Sequence, residues 1–247
     1  MERFKEILQH YWGYPDFRGI QADIIRSISE GRDTLGLMPT GGGKSITFQV
    51  PTLAMEGMCL IVTPLIALMK DQVDNLRKRG IMAAAIYSGQ TRDEMLRHLD
   101  NAVFGAYKFL YVSPERLATE LFQQKLRRMK ICLLTVDEAH CISQWGYDFR
   151  PDYLQIGQIR ERVDAPVLAL TATATPQVCE DMMDQLAFRD RVLFKSDFER
   201  ANLNYIVRES ADKMGQLLSV CRGVPGTGIV YMRNRAKCEE MAAALKA

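Results

Sequence analysis

Short runs of β-branched and other apolar residues punctuate the chain at Thr34–Met38, Cys59–Thr63, Ala83–Tyr87, Phe109–Val112, Ile131–Val136, Val167–Leu170, Val192–Phe194 and Gly228–Tyr231. Most are apolar throughout instead of alternating, as strands covered on both faces of a parallel sheet require. Helical patterns fall between them. Leu65, Leu68, Met69, Val73 and Leu76 keep one face apolar, and Met95, Leu96, Leu99 and Val103 do the same further on. Such alternation predicts an α/β domain with a mostly parallel sheet, helices on both faces and right-handed crossovers. Ligands of these sheets bind beyond the carboxyl ends of the strands. The residues that follow the runs are Pro39-Thr40-Gly41, Pro64, Pro114-Glu115-Arg116, Asp137-Glu138-Ala139-His140 and Thr171-Ala172-Thr173. The pattern weakens near Asp197–Leu203 and resumes with an expected strand at Gly228–Tyr231 and a helix from Ala236. One strand and one helix cannot bury a core alone. Residues 1–203 therefore read as one domain and residues 204–247 as the beginning of another.

Composition narrows the class without naming a function. The 247 residues carry 32 Lys and Arg against 30 Asp and Glu, a net charge of +2, and are 47% hydrophobic. That balance excludes a disordered, collagenous or coiled-coil chain. The longest apolar run, Met58–Met69, is about half the length of a membrane span and contains Pro64. The opening MERFKEILQH has no continuous apolar core of the kind a signal peptide carries. The charge argues against arm-type nucleic-acid binding and leaves room for a local basic groove. Among the six cysteines the nearest pair, Cys132 and Cys141, is nine positions apart, so no zinc spacing is present. Cys59 and Cys132 sit in hydrophobic runs and read as small core residues of a protein from a reducing cytoplasm.

Gly41-Gly42-Gly43-Lys44-Ser45 follows a strand and opens a helix, the context of a phosphate-binding loop. Glycines let backbone N–H groups turn toward phosphates. The helix N-terminus adds partial positive charge, Lys44 a full one, and the Ser45 hydroxyl can hold Mg²⁺. The general GxxxxGK[ST] form asks for glycine where Met38 stands. Asp137 and Glu138 fall at the carboxyl end of another apolar strand. Asp137 can reach Mg²⁺ through a water, and Glu138 can orient and deprotonate an attacking water. Alone, the acids could cap a solvated turn. Coupled to the glycine loop, they point to a nucleoside-triphosphate hydrolase.

In order along the chain, MPTGGGKS, VTPLIALMKDQV, YVSPERL, VDEAHCISQWGYDFRPDY and LTATAT resemble the motifs of superfamily 2 helicases, in the RecQ branch. That superfamily builds its loop around GxGK, here Gly41-Gly42-Gly43-Lys44, which accommodates Met38. The resemblance runs from Leu8 to Leu245. It implies a RecA-like P-loop domain followed by the start of a second, ATP and Mg²⁺ as cofactors, single-stranded and forked DNA as partners, and 3′-to-5′ movement in repair and recombination.

The resemblance also assigns residues. Tyr14, Arg18 and Gln21 look like the motif for the adenine end of the nucleotide. A Gln amide can donate to and accept from the adenine edge at once, and Tyr14 and Arg18 could stack on the base. Gly19-Ile20 stand where the family usually has Pro-Gly. Thr40 and Gly41–Ser45 belong to the phosphate loop. Pro64, Lys70, Ser113 and Arg116 resemble single-strand-binding motifs that meet backbone phosphates. Cys141–Pro151 resembles the aromatic-rich loop of RecQ enzymes. In it Trp145, Tyr147 and Phe149 could stack on bases for roughly 1–3 kcal/mol each, and Arg150 is placed to meet a phosphate. Trp145 and Phe149, four apart, could instead pack in a core. Tyr147 replaces a frequent histidine. His140 and Thr171–Thr173 are the expected relays between DNA and ATP, although His140 could equally be structural. Lys125, Arg127, Arg128 and Lys130 read as a solvated basic face. Phe198–Leu203 resembles the segment joining two motor domains. No zinc module, second-domain arginine or winged helix is visible. The expectation is a monomeric, cytoplasmic, nucleoid-associated bacterial enzyme whose present chain binds ATP without unwinding DNA. The alternative is a nucleotide- and DNA-binding module without motor activity.

Overall fold

In the computed structural model the apolar runs build one seven-stranded parallel sheet, in the order β3-β4-β2-β5-β6-β1-β7. The structure describes residues 1–197 and 202–246. Its strands are β1 (Thr34–Leu37), β2 (Met58–Val62), β3 (Ala83–Ile86), β4 (Phe109–Val112), β5 (Ile131–Asp137), β6 (Val167–Thr171) and β7 (Val192–Lys195). The helices around them are α1 (Glu2–Trp12), α2 (Gln21–Ser29), α3 (Lys44–Ala54), α4 (Ile66–Lys78), α5 (Arg92–Val103), α6 (Pro114–Leu117), α7 (Glu120–Leu126), α8 (Gln155–Arg160) and α9 (Pro176–Gln185).

Each central strand faces two cores because successive side chains point to opposite faces. In β2, Cys59 and Ile61 join Ile24, Phe48, Met69, Val73 and Leu76 from α2, α3 and α4. Leu60 and Val62 join Leu99, Phe122, Ile156 and Met182 from α5, α7, α8 and α9 on the other face. Burying both faces is what makes these strands apolar throughout; each such side chain contributes about 1.5–3 kcal/mol. The edge strand β7 alternates instead, with Leu193 43% exposed. Helix α1 forms an outer layer, packing Leu8 against Ile46 and Val50 of α3. Cys59 is fully buried and Cys132 half-buried, and both are free thiols. Among the described residues no helix is long and apolar enough to cross a membrane.

A buried ion pair fixes the amino ends of β6, β1 and β7. Asp33, 1% exposed, accepts from Arg160 Nη2 at 2.9 and 3.1 Å, from the Val167 amide at 2.8 Å and from the Arg189 amide at 2.7 Å. Arg160 also donates to the carbonyls of Val163 and Ala165. One carboxylate thus sets the relative height of the strands that carry the glycine loop and Thr171.

The chain divides into two compact units, Met1–Phe198 and Glu199–Ala247. The second holds α10 (Lys213–Gly223) and α11 (Arg235–Lys246). The expected strand at Gly228–Tyr231 does not form, and Ile229 and Tyr231 are 76% and 88% exposed. A strand needs a pairing partner and a face to bury, and this unit supplies neither among its described residues. Of the expected joining segment, residues 198–201 lie outside the described residues.

Candidate nucleotide site and aromatic loop

The carboxyl ends of β2, β5, β6 and β1 lie side by side and deliver Thr63, Asp137, Thr171 and Met38 to one edge of the sheet. Met38 extends β1, donating its amide to the Thr171 carbonyl at 3.0 Å and burying its side chain in a core. A large apolar residue therefore suits the position where the general loop pattern has glycine. Beyond it the chain reverses. The Gly42 amide bonds the Pro39 carbonyl at 2.9 Å, and Gly41 and Gly43 adopt φ of +78° and +75°, left-handed values that favour glycine. A Cβ on Gly43 would collide with the Gln21 amide nitrogen. Helix α3 begins at Lys44, so its free amides open onto the loop.

Lys44 Nζ lies 3.3 Å from Glu138 Oε1. Together with Ser45, Thr63 and Asp137 they line a cavity of 330 Å³. Glu138 sits in a left-handed turn, φ 48° and ψ 44°, a conformation sparsely populated outside glycine. Three bonds hold that turn. The Glu138 amide bonds Asp137 Oδ1 at 3.0 Å, the Cys141 amide bonds the Glu138 carbonyl at 2.9 Å, and the hydroxyl of fully buried Tyr153 donates to the Asp137 carbonyl at 3.0 Å. Thr63 donates to Asp137 Oδ2 at 3.4 Å. Burial pushes the Asp137 carboxyl above its ordinary value while Lys44 pulls it back. A cation held there would reverse the balance.

His140, 4% exposed, leads away from this site. Its Nδ1 is 2.8 Å from Thr171 Oγ1 and 3.5 Å from Glu138 Oε2. Desolvation holds the imidazole below its ordinary pKa, so it is neutral at pH 7. Thr171 Oγ1 accepts the Thr173 amide at 3.3 Å, and Thr173 Oγ1 is 3.2 Å from the Tyr147 hydroxyl. Tyr147 then stacks on His140, with centroids 4.9 Å apart and planes 19° from parallel. The expected relay residues thus form a closed path from Glu138 to the aromatic loop. Tyr147 takes part through its hydroxyl and its ring.

A second cavity, of 440 Å³, adjoins the glycine loop and is lined by Tyr14, Arg18, Gln21 and Ser45. The Arg18 guanidinium lies over the Tyr14 ring at 5.4 Å. Gln21 Oε1 accepts the Arg18 amide at 2.9 Å, and its Nε2 donates to the carbonyls of Gly42 and Gly43 at 3.1 and 3.2 Å. Its amide nitrogen thus meets two carbonyls of the loop and pins it. Arg79, which no sequence motif marks, also lines this cavity, bonding the carbonyls of Tyr11 and Asn75 and lying over Trp12 at 5.9 Å. A cation at a helix end reads as solvated, and nothing local marks this one. Thr63 could have been found, because it ends an apolar strand at the ligand-binding edge.

The residues expected to meet DNA separate into groups. Pro64, Tyr147 and Arg150 line one 260 Å³ cavity with Thr40 of the glycine loop, Glu138 and His140. Trp145 is 69% exposed, so it does not pack in a core, while Phe149 is half-buried. Arg150 is paired with Asp148 at 2.9 Å, so a phosphate would have to compete for it. Exposed Lys70 lies 4.8 Å from the Tyr87 ring centroid. Arg116 Nε is buried with no hydrogen-bond partner. Ser113 is 1% exposed, and its hydroxyl donates to Glu115 Oε1 at 2.6 Å. Opening α6 draws that hydroxyl inward. In the basic cluster, Lys125 pairs with Asp100 and Lys130 with Glu56, and Lys130 precedes β5 at the opposite edge of the sheet.

Residues 18–182 match the DEAD/DEAH box helicase family. The chain is 41% identical to the probable ATP-dependent DNA helicase RecS of Bacillus subtilis, covering 100% of this chain and 50% of that protein. It is 43% identical to the ATP-dependent DNA helicase RecQ of B. subtilis over 100% of this chain and 42% of the relative. For the RecQ of Haemophilus influenzae the figures are 40%, 97% and 39%. The chain thus spans half or less of these relatives. In fold it is similar to the DUF1998 helicase MrfA bound to DNA and AMPPNP, with a TM-score of 0.74, 16% identity, and coverage of 99% of this chain and 37% of MrfA.

Proposed function

Because the chain belongs to the DEAD/DEAH box helicase family, we propose that it is the ATP-binding motor portion of a RecQ-type DNA helicase. The carrying observation is the meeting of Lys44, Ser45, Asp137 and Glu138 around one cavity, beside a second cavity lined by Tyr14 and Arg18. On this reading the triphosphate lies over Gly41–Gly43 at the start of α3, and the base enters the Tyr14–Arg18 cavity. Lys44 leaves Glu138 for the phosphates. The freed Glu138 carboxylate then orients a water and accepts its proton. Mg²⁺, held by Ser45 and through a water by Asp137, would neutralise charge developing on the phosphates.

Single-stranded DNA would lie across Trp145, Tyr147, Phe149 and Arg150, with Pro64, Lys70 and Arg116 toward its backbone. A base displacing the Tyr147 ring would disturb His140 and, through it, Glu138. That is the link by which DNA would switch hydrolysis. The polarity of movement, 3′ to 5′, and a role in repair and recombination follow from the RecQ resemblance. Residues 204–247 would begin a second RecA-like domain, a reading supported by alignment of the whole chain with RecS.

Among the residues lining the Lys44–Glu138 cavity, Lys44 is the sole cation. An arginine from a second lobe is worth orders of magnitude in related sites. This favours a second reading for the chain by itself, an ATP- and DNA-binding module that hydrolyses slowly and does not unwind. Lys44→Ala should abolish turnover, and Glu138→Gln should trap bound ATP. Undiminished DNA-stimulated ATPase in Lys44→Ala would refute the first reading; robust strand displacement by the chain alone would refute the second. Stimulation by RNA as strong as by DNA would overturn the DNA assignment.

A further inference from the structure

The stem of the aromatic loop brings together three side chains that ATP hydrolysis does not require as a set. Cys141 Sγ lies 3.8 Å from His140 Nε2 and 3.7 Å from Asp148 Oδ2, and the three ligand atoms fall within 4.8 Å of one another. Zinc bonds of about 2.3 Å to sulfur and about 2.0–2.1 Å to nitrogen and oxygen give sulfur-to-ligand tetrahedral edges of about 3.6 Å. Two of the three edges are therefore already at that spacing. The third closes by rotation of half-buried Asp148. We propose that His140 Nε2, Cys141 Sγ and Asp148 Oδ2 form a binding site for a borderline-soft divalent cation of the zinc class, separate from the Mg²⁺ position at Ser45 and Asp137.

Three features beyond the cluster support the site. The His140 ring is oriented from behind, with Nδ1 on Thr171 Oγ1 at 2.8 Å; this leaves Nε2 toward Cys141, as outer-shell partners of metal-bound histidines do. Arg150 Nε and Nη2 donate to that same Asp148 Oδ2 at 3.2 and 2.9 Å, so a bound cation has to take this oxygen from the guanidinium. The Arg150 amide bonds the Cys141 carbonyl at 2.8 Å and fixes the loop that carries both ligands. The 260 Å³ cavity lined by Thr40, Glu138, His140, Cys141, Asp148 and Arg150 leaves room for a water as fourth ligand. Binding releases the thiol proton to solvent as the metal–sulfur bond forms. A thiolate, a carboxylate and a neutral imidazole then balance the two positive charges. Nitrogen and sulfur donors disfavour Mg²⁺. A metal here would tie His140 to the residue after Tyr147 and brace the path between the aromatic loop and Glu138.

The test is a Co²⁺ titration of the chain in a phosphine reductant, without ATP or DNA, so its outcome is independent of the helicase reading. The expected result is one Co²⁺ per chain, with tetrahedral ligand-field bands and a thiolate-to-cobalt charge-transfer band that Zn²⁺ removes. Cys141→Ser removes a direct ligand, so it should abolish the charge-transfer band and weaken binding by more than the roughly 100-fold that loss of an outer-shell partner can cost. Asp148→Asn, at the more exposed ligand, should keep that band and weaken binding by at least the roughly tenfold that loss of an outer-shell partner costs. Cys221→Ser/Cys238→Ser, which removes the two exposed thiols, should leave the spectrum unchanged. No charge-transfer band in the unaltered chain, or a band lost with Cys221 and Cys238, overturns the proposal. If Cys141→Ser does not fold, an unshifted affinity in Asp148→Asn overturns it as well.

Discussion

Replacing Gln21 with alanine separates two roles for one side chain. The sequence suggests an adenine reader, whereas the structure shows an amide bonded to the carbonyls of Gly42 and Gly43 and to the Arg18 amide. Each neutral bond of this kind is worth about 0.5–1.5 kcal/mol net. Gly42 and Gly43 are only half-buried, so water recovers part of that. The loss of loop order should then be about 1–3 kcal/mol, or roughly 5- to 150-fold in nucleotide affinity. Because the lost bonds organise the phosphate loop, the weakening should not depend on the base. Competition of ATP, GTP and inorganic tripolyphosphate against a fluorescent nucleotide measures it, with Lys44→Ala as the control for loss of phosphate binding. All three ligands should weaken by similar factors in Gln21→Ala. A loss confined to ATP, with tripolyphosphate unchanged, would refute loop pinning and restore the base-reading role.

Other expectations follow from the same geometry. Asp33→Ala strands the buried Arg160 charge and two amides and should cost about 3–5 kcal/mol, lowering the first unit's melting temperature by about 6–20 °C; a drop under about 3 °C in a circular-dichroism melt would contradict it. Glu138→Gln keeps the shape of the turn but removes the base, so ATP should bind normally while single-turnover hydrolysis falls by about 10²–10⁴-fold; an unchanged rate would exclude Glu138 as the base. Burial holds the imidazoles of His140 and His98 below their ordinary pKa. The unfolded chain therefore binds their protons first, and stability should fall as pH drops below about 6.5. His140→Gln should flatten that slope in urea titrations at pH 7.5 and 5.5, and an unaltered slope would show that His140 contributes nothing.

The sheet was legible because its strands are buried on both faces: seven apolar runs mark β1 to β7 to within a residue or so at each end. Gly228–Tyr231 has the same composition and is no strand, since composition reports propensity while pairing depends on what lies alongside. The glycine loop and Asp137-Glu138 were readable from spacing relative to strands. Gln21, Tyr147 and Ser113 were named, but their partners were not. A bond from Gln21 to a carbonyl 21 positions away, or from Tyr147 to Thr173, exists only once the chain is folded. Arg79 and Tyr153 went unnoticed for the same reason. Arg79 belongs to no local pattern, and Tyr153 ends the VDEAHCISQWGYDFRPDY motif without a role visible there; the first lines the 440 Å³ cavity and the second holds the turn of Glu138.

On the proposed function, Lys44 and its neighbours hold ATP through the phosphate loop. Calorimetric titration of the chain with a non-hydrolysable ATP analogue and Mg²⁺, in the unaltered protein and in Lys44→Ala, tests it most directly. One nucleotide should bind per chain, with affinity lower by at least about tenfold, roughly 1.4 kcal/mol, when the lysine charge is removed. Equal affinity in the two proteins, or no binding in the unaltered chain, would contradict it.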